Sequence, residues 1–288
     1  MVTGILLALL ASLIYGCLGV AFEAAAKRGY ATWDFIFWKQ LVGTGLIFAA
    51  VLALGGPLRD LAVLKLAAIG AVSYVLTCVC YLNASRERDI AVNWTILNLS
   101  VLVPLAVSVL WFHDQFTGLK AVGALIILVA IVVLGGKAKL GGMSHASRWA
   151  LFILGAFLLN GVFSVLFRWV PADRSFLFVA YFYAISTVLA LPLKLALRKP
   201  GTPTKGLIPW ATAGAASHCT GALLTMAALA AIAKVRADPG VIVYPITNGF
   251  VIPLGVVLGA IILRQVIDPR RKLGVAIGVA GLVLLSLP

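Results

Sequence analysis

Long apolar runs separated by short polar breaks dominate this chain. Between charged or Pro/Gly punctuation there are ten such runs, at about residues 2–22, 33–54, 63–84, 91–111, 117–136, 149–170, 175–197, 207–232, 239–262 and 272–287. Each approaches the roughly 20 apolar residues with which a helix crosses the hydrocarbon of a bilayer. Polar side chains inside the runs recur at helical spacing. In "GAVSYVLTCVCYLNAS" (Gly70–Ser85), Tyr74, Thr77 and Tyr81 stand three and four residues apart on one helix face, and Cys78 joins them. The pattern predicts an all-α polytopic membrane protein of ten transmembrane helices, referred to below as spans 1 to 10.

Composition agrees. Of 288 residues, 62% are hydrophobic and 11% charged, and the mean hydropathy is +1.10. A soluble domain is about 45–50% apolar and about 25% charged, so too few charges exist here to cover a water-exposed surface. The net charge of +14 comes from Lys and Arg lying between the apolar runs. That is the usual place for topological charge, and it forms no basic stripe for nucleic acid. Cys17, Cys78, Cys80 and Cys219 all lie inside apolar runs, without metal-ligand spacing or a disulfide framework. The opening "MVTGILLALLASLIYG" reads as a retained first span rather than a cleaved leader.

The two halves resemble each other. "GAASHCTGALLTMAAL" (Gly214–Leu229) aligns without a gap on Gly70–Ser85, with Gly70/Gly214, Ala71/Ala215, Ser73/Ser217 and Ala84/Ala228 identical. "IYGCLGVAFE" parallels "LNGVFSVLFR", "LNLSVLVPLAVSVL" parallels "ITNGFVIPLGVVLG", and "VGALIILVAIVVLGG" parallels "LGVAIGVAGLVLLSL", in the same order. The expected organisation is a first five-helix repeat at 1–136, a linker at 137–148 and a second repeat at 149–288. Five is odd, so the second copy enters the membrane from the opposite side. Inverted repeats of this kind carry a mid-bilayer site at their interface and work by alternating access.

This arrangement resembles the drug/metabolite transporter superfamily, specifically its EamA-type ten-helix carriers, and is similar to bacterial amino-acid exporters among them. The matching features are Tyr15-Gly16 in span 1, Pro104 and Pro253 in spans 4 and 9, and the Gly-rich final helix of each half, with Gly123 and Gly274. Family halves often end their fourth helix with Glu. Here Asp114 stands near that place in the first half, and Arg264 and Gln265 in the second. The resemblance implies a carrier of small organic metabolites, often an exporter, driven by protons or by exchange.

Polar groups deep in a span face the bundle interior or a wet cavity, because lipid penalises them. Tyr74, Thr77 and Tyr81 are therefore candidate cavity residues; the alternative is a hydroxyl bonded back to its own helix. His218, the repeat equivalent of Tyr74, lies near mid-span. It could exchange protons or sense substrate, or be a neutral imidazole tied to a hydroxyl or carbonyl. In the fourth helices Trp94, Asn98, Tyr244 and Asn248 form a further constellation, beside Pro245 and Gly249, which should make span 9 irregular. Interhelical bonding is the alternative role for the asparagines. Asn160 occupies the place of Tyr15. Lys39 either snorkels to the surface or stands as a fixed cation for a substrate carboxylate. Trp33, Trp38, Trp111, Trp149, Trp169 and Trp210 fall near span ends, as an interfacial belt does.

The acidic residues all lie at span ends or in loops, which argues against a carboxylate relay in mid-membrane. HExxH, GxSxG and Walker A motifs are absent from the sequence, so no enzyme, cofactor or metal is expected. The expected function is secondary transport of small zwitterionic or cationic metabolites, amino acids above all, with protons as the candidate coupling ion. A lipid-linked-sugar flippase or a non-transporting scaffold on the same fold is the alternative. The expected setting is the bacterial inner (plasma) membrane; the partners are substrate and lipid, and a monomer suffices. Loops 1–2, 3–4, 5–6, 7–8 and 9–10 carry fifteen Lys and Arg against seven on the other side. The positive-inside rule puts the richer side in the cytoplasm, opposite to the usual orientation of the resembled carriers.

Overall fold

The structure, a computed structural model, describes residues 1–56, 58–87, 90–135, 143–197, 205–252, 254, 257–258, 261 and 269–286. Expectations that rest on Pro253, Arg264, Gln265, Asp89, Asp268 and linker residues 137–142 lie outside the described residues. Every regular element among the described residues is helical. Helix α1 spans Val2–Lys27, α2 Thr32–Ala53, α3 Leu61–Glu87, α4 Ile90–Asn98, α5 Leu102–Leu110 and α6 Gly118–Gly135. After these come α7 Met143–Trp169, α8 Ser175–Ala196, α9 Leu207–Ala233, α10 Pro239–Tyr244 and α11 Pro269–Ser286.

Six segments are long and apolar enough to cross a membrane: Val2–Ala25, Thr32–Ala53, Leu61–Ala84, Arg148–Trp169, Ala172–Ala196 and Leu207–Ala233. At 1.5 Å per residue, the 22 residues of α2 reach about 33 Å, against a hydrocarbon core of about 30 Å. Three shorter apolar helices, Ile96–Leu110, Gly118–Ala130 and Lys272–Leu285, accompany them. The protein is a multi-pass integral membrane protein.

Local chemistry sets the ends. Gly29 and Gly55 follow α1 and α2 with φ of 70° and 62°, a left-handed backbone that costs glycine little and stops a helix. The Gly56 amide then caps the Val51 carbonyl at 3.0 Å. Two elements are irregular. Between α4 and α5 the chain tightens into a 3-10 turn, Leu99–Val101, just before Pro104 in the first turn of α5. The irregularity expected around Pro245 is a single π-helical turn, Pro245–Gly249, a form that frequently marks functional sites. Helical backbone already begins at Met143, inside the stretch read as linker.

Helices pack in a definite pairing. α1 lies on α9, α3 on α7, α2 on α8 and α6 on α11, with further contacts of α3 to α8 and α2 to α9. α6 and α11 approach backbone to backbone: a Cβ added to Gly123 would lie 2.8 Å from the Gly281 carbonyl oxygen, and one added to Gly281 would lie 2.9 Å from that of Gly123. Small residues allow such backbone contact in a membrane, where no hydrophobic force draws helices together. Large apolar residues instead face outward in helical stripes, such as Ile69, Val72 and Leu76 on α3 and Leu151, Leu154 and Leu158 on α7. Trp111 and Trp169 are exposed at helix ends as a belt requires, whereas Trp33 is buried in the core, so α2 begins inside the bundle.

Candidate functional site

The polar stripes converge on one cavity. Its wall is built by Tyr15, Leu18 and Phe22 of α1; Tyr74, Thr77, Cys78 and Tyr81 of α3; Trp94, Leu97 and Asn98 of α4; Asn160, Phe163, Ser164 and Phe167 of α7; His218 and Thr225 of α9; and Tyr244 and Asn248 of α10 and the π turn. About 90 Å³ is open to the centre of a water-sized sphere. A water needs roughly 10–15 Å³ on that measure, so the space takes several waters or one small organic molecule. Nine of the ten sequence-selected residues line it; Lys39 does not.

Each polar group has a definite setting. Thr77 donates to the Ser73 carbonyl at 2.8 Å, and Thr225 to Gly221 at 2.8 Å, so both hydroxyls bond their own helices while lining the cavity. Asn98 donates its amide to the Trp94 carbonyl at 2.8 Å and Asn248 to the Tyr244 carbonyl at 3.4 Å. The two asparagines use the same i to i−4 bond, and each keeps its Oδ1 as a potential acceptor. Asn160 is an interhelical tie as well as a wall residue, reaching Ser100 Oγ at 2.7 Å. Trp94 Nε1 is a buried donor without a partner, and its ring packs against Phe22 and Tyr81.

His218 stacks on Tyr74, with ring centroids 5.2 Å apart and planes 28° apart. Its Nδ1 shares a 2.8 Å hydrogen bond with Tyr183 Oη, the hydroxyl tie foreseen as its alternative role. Tyr183, wholly buried on α8, escaped the sequence reading; its phenol within an apolar run was the available signal. Gly43 makes room for it, since a Cβ there would run into the Tyr183 ring. Lys39 does not snorkel. It is 0% exposed, its Nζ donates to Gln40 Oε1 at 3.0 Å, and it faces the rings of Tyr74 and Tyr183 at 5.0 and 5.3 Å.

Beyond Ser164 and Tyr244, which line the cavity, lies a charged cluster. Tyr244 Oη donates to the Ser164 carbonyl at 3.3 Å. Four residues further along α7, about 6 Å by helical rise, Arg168 grips Asp114 with two bonds of 3.1 and 2.9 Å. The same carboxylate accepts the Gly240 and Val241 amides at 2.9 and 3.2 Å, and so caps the N-terminus of α10 from another part of the chain. Beside it, Lys120 meets Asp238 at 3.0 Å and Arg236 meets the same residue at 2.9 Å. In this loop Arg236, helped by Lys120, holds the Asp238 carboxyl at about 2, below its usual 3.8. Asp114 and Asp238 were expected at span ends, where they stand; that both are buried and paired needed the tertiary structure.

Among the described residues, no three His, Cys, Asp or Glu come together to hold a metal. No curated protein matches the chain. A solved structure described only as a crystal structure of a protein is similar in fold, with a TM-score of 0.75 over 99% of this chain and 98% of its own, at 18% identity. Residues 2–136 match the EamA-like transporter family. That match makes the first part of the chain similar to the EamA-like transporter family, whose members are membrane transporters of small molecules, and the fold is shared with the solved structure over nearly the whole length.

Proposed function

We propose that this protein is a secondary carrier of small zwitterionic or cationic metabolites, amino acids foremost, built from two inverted five-helix repeats with ten spans and working by alternating access in a bacterial inner membrane. The observation that carries the reading is the cavity itself. Aromatic faces and amide groups line it from both halves of the chain. Aromatic faces suit an ammonium group or an apolar body, and asparagine supplies both donor and acceptor.

The helix pairing supports the repeat. Exchanging the halves turns the α1–α9 contact into α7–α3, which is also present, and maps α2–α8 and α6–α11 onto themselves. Tyr74 and His218, equivalent in the two halves, stack against each other, as groups beside a two-fold axis do.

Proteoliposomes loaded with labelled amino acids or amines, with and without a pH gradient, test the reading. Flux of at least one of these classes is expected, and no flux for any of them overturns it in favour of a flippase or scaffold. If the flux is proton-coupled, His218→Ala should uncouple it. Unchanged coupling removes His218 from that role.

A further inference from the structure

Lys39 lies behind the cavity wall, and the cavity alone gives no reason for it. Its ammonium is fully buried in α2, and among the described residues no carboxylate pairs with it. Its stem runs inward beside α9, where Gly214 leaves space: a Cβ there would lie 3.3 Å from Lys39 Cδ. The neighbours it does have are weak partners for a cation, namely one neutral amide oxygen and two ring faces.

Among the described residues, the surroundings lack an anion. The titratable groups facing Lys39 and its neighbour His218 are Tyr74 and Cys78 on α3, Tyr183 on α8, Cys219 on α9 and Tyr15 on α1. None of them is a carboxylate. Two polar groups in the same region, Gln40 Nε2, next to Lys39, and Ser186 Oγ, three residues along α8 from Tyr183, are buried without partners among the described residues. Burying a cation without its counter-charge is costly, and a membrane protein keeps such a group where it acts.

We propose, on the reading of the cavity as a metabolite site, that Lys39 is the counter-charge for a carboxylate on the transported molecule and that the Tyr74–His218 wall in front of it is the carboxylate pole. The charge lies 5.0 Å behind the Tyr74 ring that lines the cavity. In so apolar a place its field acts with little screening. The opposite pole, with Trp94, Tyr81 and the Oδ1 acceptors of Asn98 and Asn248, takes an ammonium. The site is thereby polar end to end and orients a zwitterion.

The test uses three probes that share one body: leucine, its decarboxylated counterpart 3-methylbutylamine, and its deaminated counterpart 4-methylpentanoate. Binding to the purified full-length protein is measured for the wild type, Lys39→Met and Lys39→Arg, with Lys39→Gln in place of the methionine variant if that is not recovered. Loss of Lys39 should weaken leucine and 4-methylpentanoate by at least about tenfold. It should leave 3-methylbutylamine within about twofold, and Lys39→Arg should keep most of the carboxylate binding. The melting temperature of Lys39→Met should hold or rise, since an uncompensated charge has gone. Equal loss of all three probes with a lower melting temperature makes Lys39 a packing element and overturns the proposal, as does unchanged binding of both carboxylates. Binding of none of the three by the wild type overturns the amino-acid reading as well, which separates the two failures.

Discussion

Among the described residues, charge is buried in two places and treated in opposite ways. Beside the start of α10, Asp114 takes two guanidinium bonds and two backbone amides, and Asp238 takes Lys120 and Arg236. In the middle of the bundle, Lys39 has one amide oxygen and two ring faces. A fully partnered cluster has little to offer a ligand and much to lose when a partner is removed. An under-partnered cation costs stability and offers attraction. The first centre ties the loop after α5 to α7 and the start of α10, whereas the second holds its cation with neutral partners.

The sharpest way to break this contrast is Asp114→Ala. It strands Arg168 and uncaps α10, so a loss of about 3–5 kcal/mol is expected, read from thermal unfolding of the purified protein. A change below about 1 kcal/mol, the size typical of an exposed pair, would mean the cluster is not fully desolvated. Gly43→Ala tests the other centre through its support. The new methyl runs into the Tyr183 ring, and overpacking of this kind costs about 1–3 kcal/mol. Displacing Tyr183 should also loosen the His218 bond and one ring face over Lys39, so leucine binding should fall with stability; unchanged binding would detach Tyr183 from the site.

The smallest effect is confined to acid. Asp238 has its folded value at about 2 against 3.8 when free, so its ionised form is the one stabilised by folding. That stability is complete above the free value and is lost as pH falls towards 2. Wild type should therefore lose its stability margin over Asp238→Asn between about pH 4 and 2, while near neutrality the margin stays constant with pH. A margin that varies between pH 6 and 8 would place the titrating group elsewhere.

Much of this was legible in sequence, for one reason: the 3.6-residue period is a local property. Tyr74, Thr77 and Tyr81 fall on one face whatever α3 packs against, and lipid makes that face the inner one. The same reasoning placed Asn248 beside irregular backbone, because Pro245 must disturb its own helix. Six of the ten apolar runs coincide with membrane-length helices, because the bilayer sets the length of a crossing run.

The undecided cases were those in which two segments distant in sequence had to meet. Nothing local tells whether Lys39 turns to the surface or to the bundle, since a lysine stem permits both; the choice fell to Gly214, some 175 residues along the chain, which leaves room for the stem. Tyr183 looked like any other aromatic in an apolar span until His218, 35 residues away, met its hydroxyl. Asp114 was one more residue at a helix end until Arg168 and the α10 amides, 54 and 126 residues away, closed on it. The sequence by itself determined which residues share a helix face and that such faces turn from lipid, because both follow from backbone geometry and the solvent. Which faces meet, and so which charges find partners and which are left waiting, was decided by tertiary packing alone, because burial and pairing are properties of the assembled bundle and of no single helix.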